Sequence, residues 1–160
     1  MSTRRLVLAS ALMALLAGCA TTQAPVSVAD TLARDPQLST LAGLVQKAGL
    51  SDTLRGPGPF TVFAPTNDAF KAVPQKTLDE LAANPARLRA VLTYHVLPAR
   101  VAASEVKMGT AKTVEGGNLA LGKAGTFVTV EEAMVQTADI AATNGVVHTV
   151  DRVLLPPVRR

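Results

Sequence analysis

The chain has 160 residues, enough for one domain with a sizeable core and too few for two. Apolar residues make up 48% of it and charged residues 18%, a balance that excludes a disordered polyelectrolyte. Its formal charge is +4, and its single cysteine excludes an internal disulfide framework.

Read in chain order, the first element is a leader. Arg4 and Arg5 precede an apolar stretch from Leu6 to Leu16, which is too short to cross a bilayer as a helix. The stretch runs into Leu16-Ala17-Gly18-Cys19, which resembles a bacterial lipobox: small residues at a cleavage point, then a thiol that can carry diacylglycerol. The resemblance implies a signal peptide over residues 1–18, lipidation of Cys19, a flexible tether over 19–27 and a folded domain over 28–157. Acyl chains contribute about 0.8 kcal/mol per buried methylene, so a lipidated Cys19 anchors the chain durably to a membrane. Ala20 follows the cysteine, and by likeness to other lipoproteins this favours the outer membrane, with the domain at the cell surface or on the periplasmic face. Cleavage removes Arg4 and Arg5 and no acids, leaving 14 basic against 12 acidic residues. A net charge of +2 gives no electrostatic case for nucleic-acid binding. An acylated Cys19 also leaves no free thiol for catalysis.

The tether residues 20–27 carry no charge and little bulk. A helix is predicted to start near Asp30. A second follows, with Leu38, Leu41, Leu44, Val45 and Ala48 at helical spacing and Gly49 as its stop. Arg55-Gly56-Pro57-Gly58-Pro59 reads as a tight loop; two prolines remove the backbone donors that a phosphate-cradling loop needs. Phe60 to Ala64 reads as a short buried strand broken by Pro65, after which Thr66 or Asn67 caps a helix running towards Val73. Two further helices are predicted, Thr77 to Ala83 and Pro85 to Val96, the latter presenting Leu88, Val91, Leu92 and His95 on one face. After Pro98, glycines at 109, 116, 117, 122 and 125 separate short β-branched runs in the rhythm of successive hairpins. Asn144-Gly145 is the strongest turn signal and joins Asp139–Thr143 to Val146–Leu154. The last of these strands is apolar on both faces and therefore central.

Three segments carry a family resemblance in register: FTVFAPTNDAF (Phe60–Phe70), LTYHVLP (Leu92–Pro98) and NGVVHTVDRVLLP (Asn144–Pro156). In this order and spacing they resemble the two end motifs and the central Tyr-His of a fasciclin-like domain, over residues 25–157. The resemblance implies an α+β fold: N-terminal helices packed on a twisted β-sandwich or wedge of mostly antiparallel strands. It also implies a binding and adhesion module and no cofactor. In animal members, elements similar to Tyr94-His95 and Asp139-Ile140 recognise integrins, so these four residues are the candidate contacts for a protein or matrix-type partner. A histidine ending an apolar helix also suits a core position, with both ring nitrogens satisfied by backbone groups. Other members of the family bind carotenoids, which makes an apolar-ligand carrier the alternative reading, beside a periplasm-facing structural lipoprotein.

The residues themselves offer little chemistry. His95 and His148 lie far apart in sequence, and no metal-ligand spacing or Gly-x-Ser-x-Gly elbow occurs. Glu131 and Glu132 are adjacent and on a strand would face opposite ways. Four Phe, one Tyr and no Trp make aromatic stacking platforms a poor expectation. The reading is of a non-enzyme whose partners would be held by avidity, and nothing in the sequence sets an oligomeric state.

Overall fold

The computed structural model describes residues 26–157. Helix α1 (Val28–Arg34) starts two residues before Asp30, because the Ser27 hydroxyl accepts the Asp30 N–H and donates to its carboxylate. A 3₁₀ turn (Pro36–Leu38) leads into α2 (Ser39–Lys47), and Gly49 ends this region at φ +68°, a conformation that glycine adopts freely. Helix α3 (Ser51–Arg55) corrects the sequence reading, which placed Arg55 in the loop. It forms because Leu54 is buried and Arg55 reaches back to Asp30 at 3.1 Å. Residues 56–59 are the loop.

Strand β1 (Phe60–Pro65) is followed by α4 (Asn67–Lys71), capped by Thr66, whose hydroxyl accepts the Ala69 N–H. Helices α5 (Gln75–Ala83) and α6 (Pro85–Tyr94) come next. Val96, expected in the helix, belongs to β2 (Val96–Leu97), where pairing with β1 takes the chain out of helical register. The hairpin region holds β3 (Gly109–Lys112), β4 (Asn118–Ala124), β5 (Phe127–Val130), β6 (Ala133–Ala142) and β7 (Gly145–Val150). Leu154 lies beyond β7, not in it; the chain leaves the sheet at Asp151, whose carboxylate accepts the Met134 N–H.

The strands form one sheet in the order β2-β1-β7-β6-β5-β4-β3. Only β1 and β7 run parallel, and the other neighbours are antiparallel. Strand β6 is shared: its start pairs with β5, and two register shifts then let the rest follow β7. Such bulges raise local twist and bend the strand, and the bend divides the sheet into the two halves of a wedge. The fold class is therefore the α+β architecture that the three segments implied.

Strands β1 and β7 are buried on both faces, which explains why they are mostly apolar, with Thr61, His148 and Thr149 as buried polar exceptions. On one face Val62, Ala64 and Val147 pack with Leu32, Leu41, Leu54 and Leu88 of the helices. On the other, Phe63 and Val150 pack with Tyr94, Leu97, Leu119, Val130 and Leu154. The two strands approach so closely that a Cβ at Gly145 would strike the Phe60 carbonyl.

Candidate functional site

The segments that carried the sequence signal are occupied with folding. Asn144 is the clearest case. Its Oδ1 accepts the Val28 N–H at 2.8 Å, its Nδ2 donates to the carbonyls of Leu54 and Gly56 at 2.7 and 2.8 Å, and its own carbonyl accepts the Phe60 N–H. One side chain thus ties α1, α3 and the loop to the β6–β7 turn. Asn67 does the same at the other end of β1, accepting the Thr40 N–H at 3.0 Å and donating to the Pro36 carbonyl at 2.9 Å. Thr61, fully buried, donates to the Ala99 carbonyl at 2.6 Å and accepts the Val101 N–H at 2.8 Å.

Tyr94 and His95 are 3% and 2% exposed. The Tyr94 hydroxyl donates to the Asn118 carbonyl at 2.9 Å, with a Glu131 carboxylate oxygen at 3.4 Å. Burial, and then the Glu131 and Glu115 carboxylates, push its pKa up. For His95 the tautomer follows from the partners. The Leu154 N–H donates to Nε2 at 2.9 Å, so the ring proton sits on Nδ1 and is given to the Val91 carbonyl at 2.7 Å. Burial lowers its pKa to about 4. Among the candidate contacts this pair thus lies inside the domain, and its two side chains reach different partners.

Asp139 and Ile140 lie on β6 at the second register shift. Asp139 is exposed and held at φ +58°, the left-handed region that non-glycine residues seldom adopt. Its carboxylate accepts the Ala103 N–H at 2.8 Å, and its own N–H donates to His148 Nδ1 at 3.1 Å. Ile140 is half-buried against the helical side of the core. Cys19 lies outside the described residues. Glu131 and Glu132 occupy the β5–β6 turn rather than a strand, and Glu131 sits at φ +53° with its carboxylate accepting the Ala120 N–H. Sequence reasoning missed the parts played by Glu131 and His148. His148 was legible in principle: a histidine inside a strand buried on both faces must find partners for both ring nitrogens.

Among the described residues, no three His, Cys, Asp or Glu side chains stand where they could share a metal ion. Between α1–α3, α6 and β1 lies a cavity of about 20 Å³, walled by Leu32, Leu41, Leu54, Phe60 and Leu92. It has room for little more than the centre of one water molecule, so a carotenoid does not fit it in this conformation.

Over residues 36–156 the chain matches the family model described as the fasciclin domain. The chain belongs to the fasciclin family. This fasciclin domain is 40% identical over 141 residues to protein sll1483 of Synechocystis sp., covering 87% of this chain and 78% of that protein. It is 35% identical over 137 residues to the cell surface glycolipoprotein MPB83 of Mycobacterium bovis, covering 82% of this chain and 61% of the relative. Transforming growth factor-beta-induced protein ig-h3 of Sus scrofa is 39% identical over 135 residues, which are 84% of this chain but 20% of that protein. Among solved structures, a FAS1 domain pair from the insect cell adhesion molecule fasciclin I aligns with TM-score 0.69 at 17% identity, over 82% of this chain and 51% of that one. That likeness establishes the shared fold. The fasciclin domain here spans a fifth of ig-h3 and about half of the insect pair.

Proposed function

We propose that this fasciclin domain is an extracytoplasmic, non-catalytic adhesion module, anchored to the outer membrane through a lipid on Cys19, with Asp139 and Ile140 at its contact surface. The observation that carries the reading is the Asp139 bulge. Where Tyr94 and His95 are buried, this acidic residue is exposed and held in a strained backbone conformation by partners on two sides. A family that includes a cell adhesion molecule and a cell surface glycolipoprotein supports adhesion and a surface location. Tyr94 and His95 then serve the surface from within, by fixing α6 against β4 and the C-terminal segment.

The test is attachment of cells carrying the intact chain, the chain deleted, or Asp139→Gly, a change that tolerates the left-handed backbone and removes the carboxymethyl side chain. Deletion and Asp139→Gly are both expected to lower attachment, with the variant still folded by circular dichroism. Unchanged attachment on deletion overturns adhesion. Loss on deletion without loss in the folded variant overturns the contact assignment.

A further inference from the structure

The residues that hold Asp139 also hold a second surface segment. Residues 98–108, between β2 and β3, have no regular strand or helix. A loop of this length must send its backbone donors and acceptors elsewhere. Several go to side chains of the sheet. Thr61 of β1 takes the Val101 N–H and donates to the Ala99 carbonyl. Asp139 of β6 takes the Ala103 N–H. His148 of β7 takes care of the Val101 carbonyl: its Nδ1 accepts the Asp139 N–H, so the proton lies on Nε2, 2.8 Å from that oxygen. Lys123 of β4 donates to the Ser104 carbonyl at 2.8 Å. His148 itself is 1% exposed and stacked on Phe63, with ring centroids 5.6 Å apart, so it cannot swing away without opening the core.

One imidazole therefore bridges the bulge and the loop, and a carboxylate bridges them a second time. We infer that the Asp139 bulge and residues 99–105 form a single discontinuous surface for a protein partner, with His148 as the positioning residue that joins its halves. The inference rests on the adhesion reading and extends it to a segment that no motif marks. The joined surface exposes Arg100, Ser104 and Asp139, charges of both signs, which suits a protein better than nucleic acid or an anionic bilayer.

Amide hydrogen exchange on the full chain tests the bridge. His148→Phe keeps a ring against Phe63 and removes both ring nitrogens. The amides of Asp139 and Ala103 are expected to exchange about tenfold faster or more, together, while the Leu154 amide held by His95 keeps its protection. A general loss of stability would move all three. Asp139→Gly, made from the opposite side and sparing the core, is expected to free the Ala103 amide by a similar factor. If His148→Phe loosens one segment and leaves the other protected, or if Asp139→Gly leaves the Ala103 amide protected, the bridge is overturned. Attachment then tests the shared surface through Ser104→Arg on the loop. Loss comparable to that of Asp139→Gly supports it. Normal attachment by Ser104→Arg beside loss in Asp139→Gly overturns the shared surface and leaves the adhesion reading standing.

Discussion

Each buried histidine does the work of two backbone groups, and for His95 the cost of burial shows in acid. His95 is pushed down to about 4 by burial, from an ordinary value of 6.5. Below the ordinary value the unfolded chain binds a proton that the folded ring does not, so stability falls as pH drops towards the folded value and then levels. The difference is worth about 3 kcal/mol. Denaturant titrations stepped from about pH 7 to about pH 4 should show this loss, and His95→Gln, which cannot titrate, should flatten the slope across that window. Asp30 acts in a separate window: hydrogen bonds from Ser27 and Arg55 lower its pKa below 3.8, so its contribution is present above that value and fades only in stronger acid. Asn144 carries no charge and so shows no such window, but Asn144→Ala removes three hydrogen bonds at once. The expected loss is about 2–4 kcal/mol, read by thermal or urea unfolding.

At the scale of elements, the parallel pair β1 and β7 is the axis on which both halves of the core depend. Phe63 is fully buried on one face and Val62 on the other, and Gly145 lets the two backbones meet. Gly145→Ala should cost about 3 kcal/mol or more, because its obstacle is a carbonyl in the central strand rather than a mobile side chain; soluble yield and melting temperature report it. These elements were legible in the sequence where one local cause dominated. The Thr66 cap, the glycine after α2, the Asn144-Gly145 turn and the valines of β7 each have a short-range reason. Helix α3 escaped because only five residues form it and its support is tertiary: Leu54 in the core and Arg55 on Asp30. Val96 was assigned to the helix for the complementary reason, since pairing with β1 overrides a pattern that is still helical. The proposed contact pair Asp139-Ile140 was visible as a resemblance. The bulge that exposes the aspartate, and the His148 bridge beneath it, depend on register shifts between β6 and β7 that no local pattern encodes.

For the whole molecule, the arrangement separates tasks. Val26, where the described chain begins, is tied by its carbonyl to the Thr143 N–H beside the β6–β7 turn. An anchor at Cys19 would be seven residues away, within about 25 Å of extended chain. The domain would then stand close to its membrane, and many anchored copies would act together, so that a weak single contact suffices. The membrane's two sides give this account its decisive alternative, because adhesion requires the domain to face outward. Protease treatment of intact cells, with a periplasmic protein as an internal control that must survive, measures this directly. The account predicts that the domain is digested while the control stays whole. Protection in intact cells, with digestion only after lysis, would contradict it and place the domain among periplasmic partners.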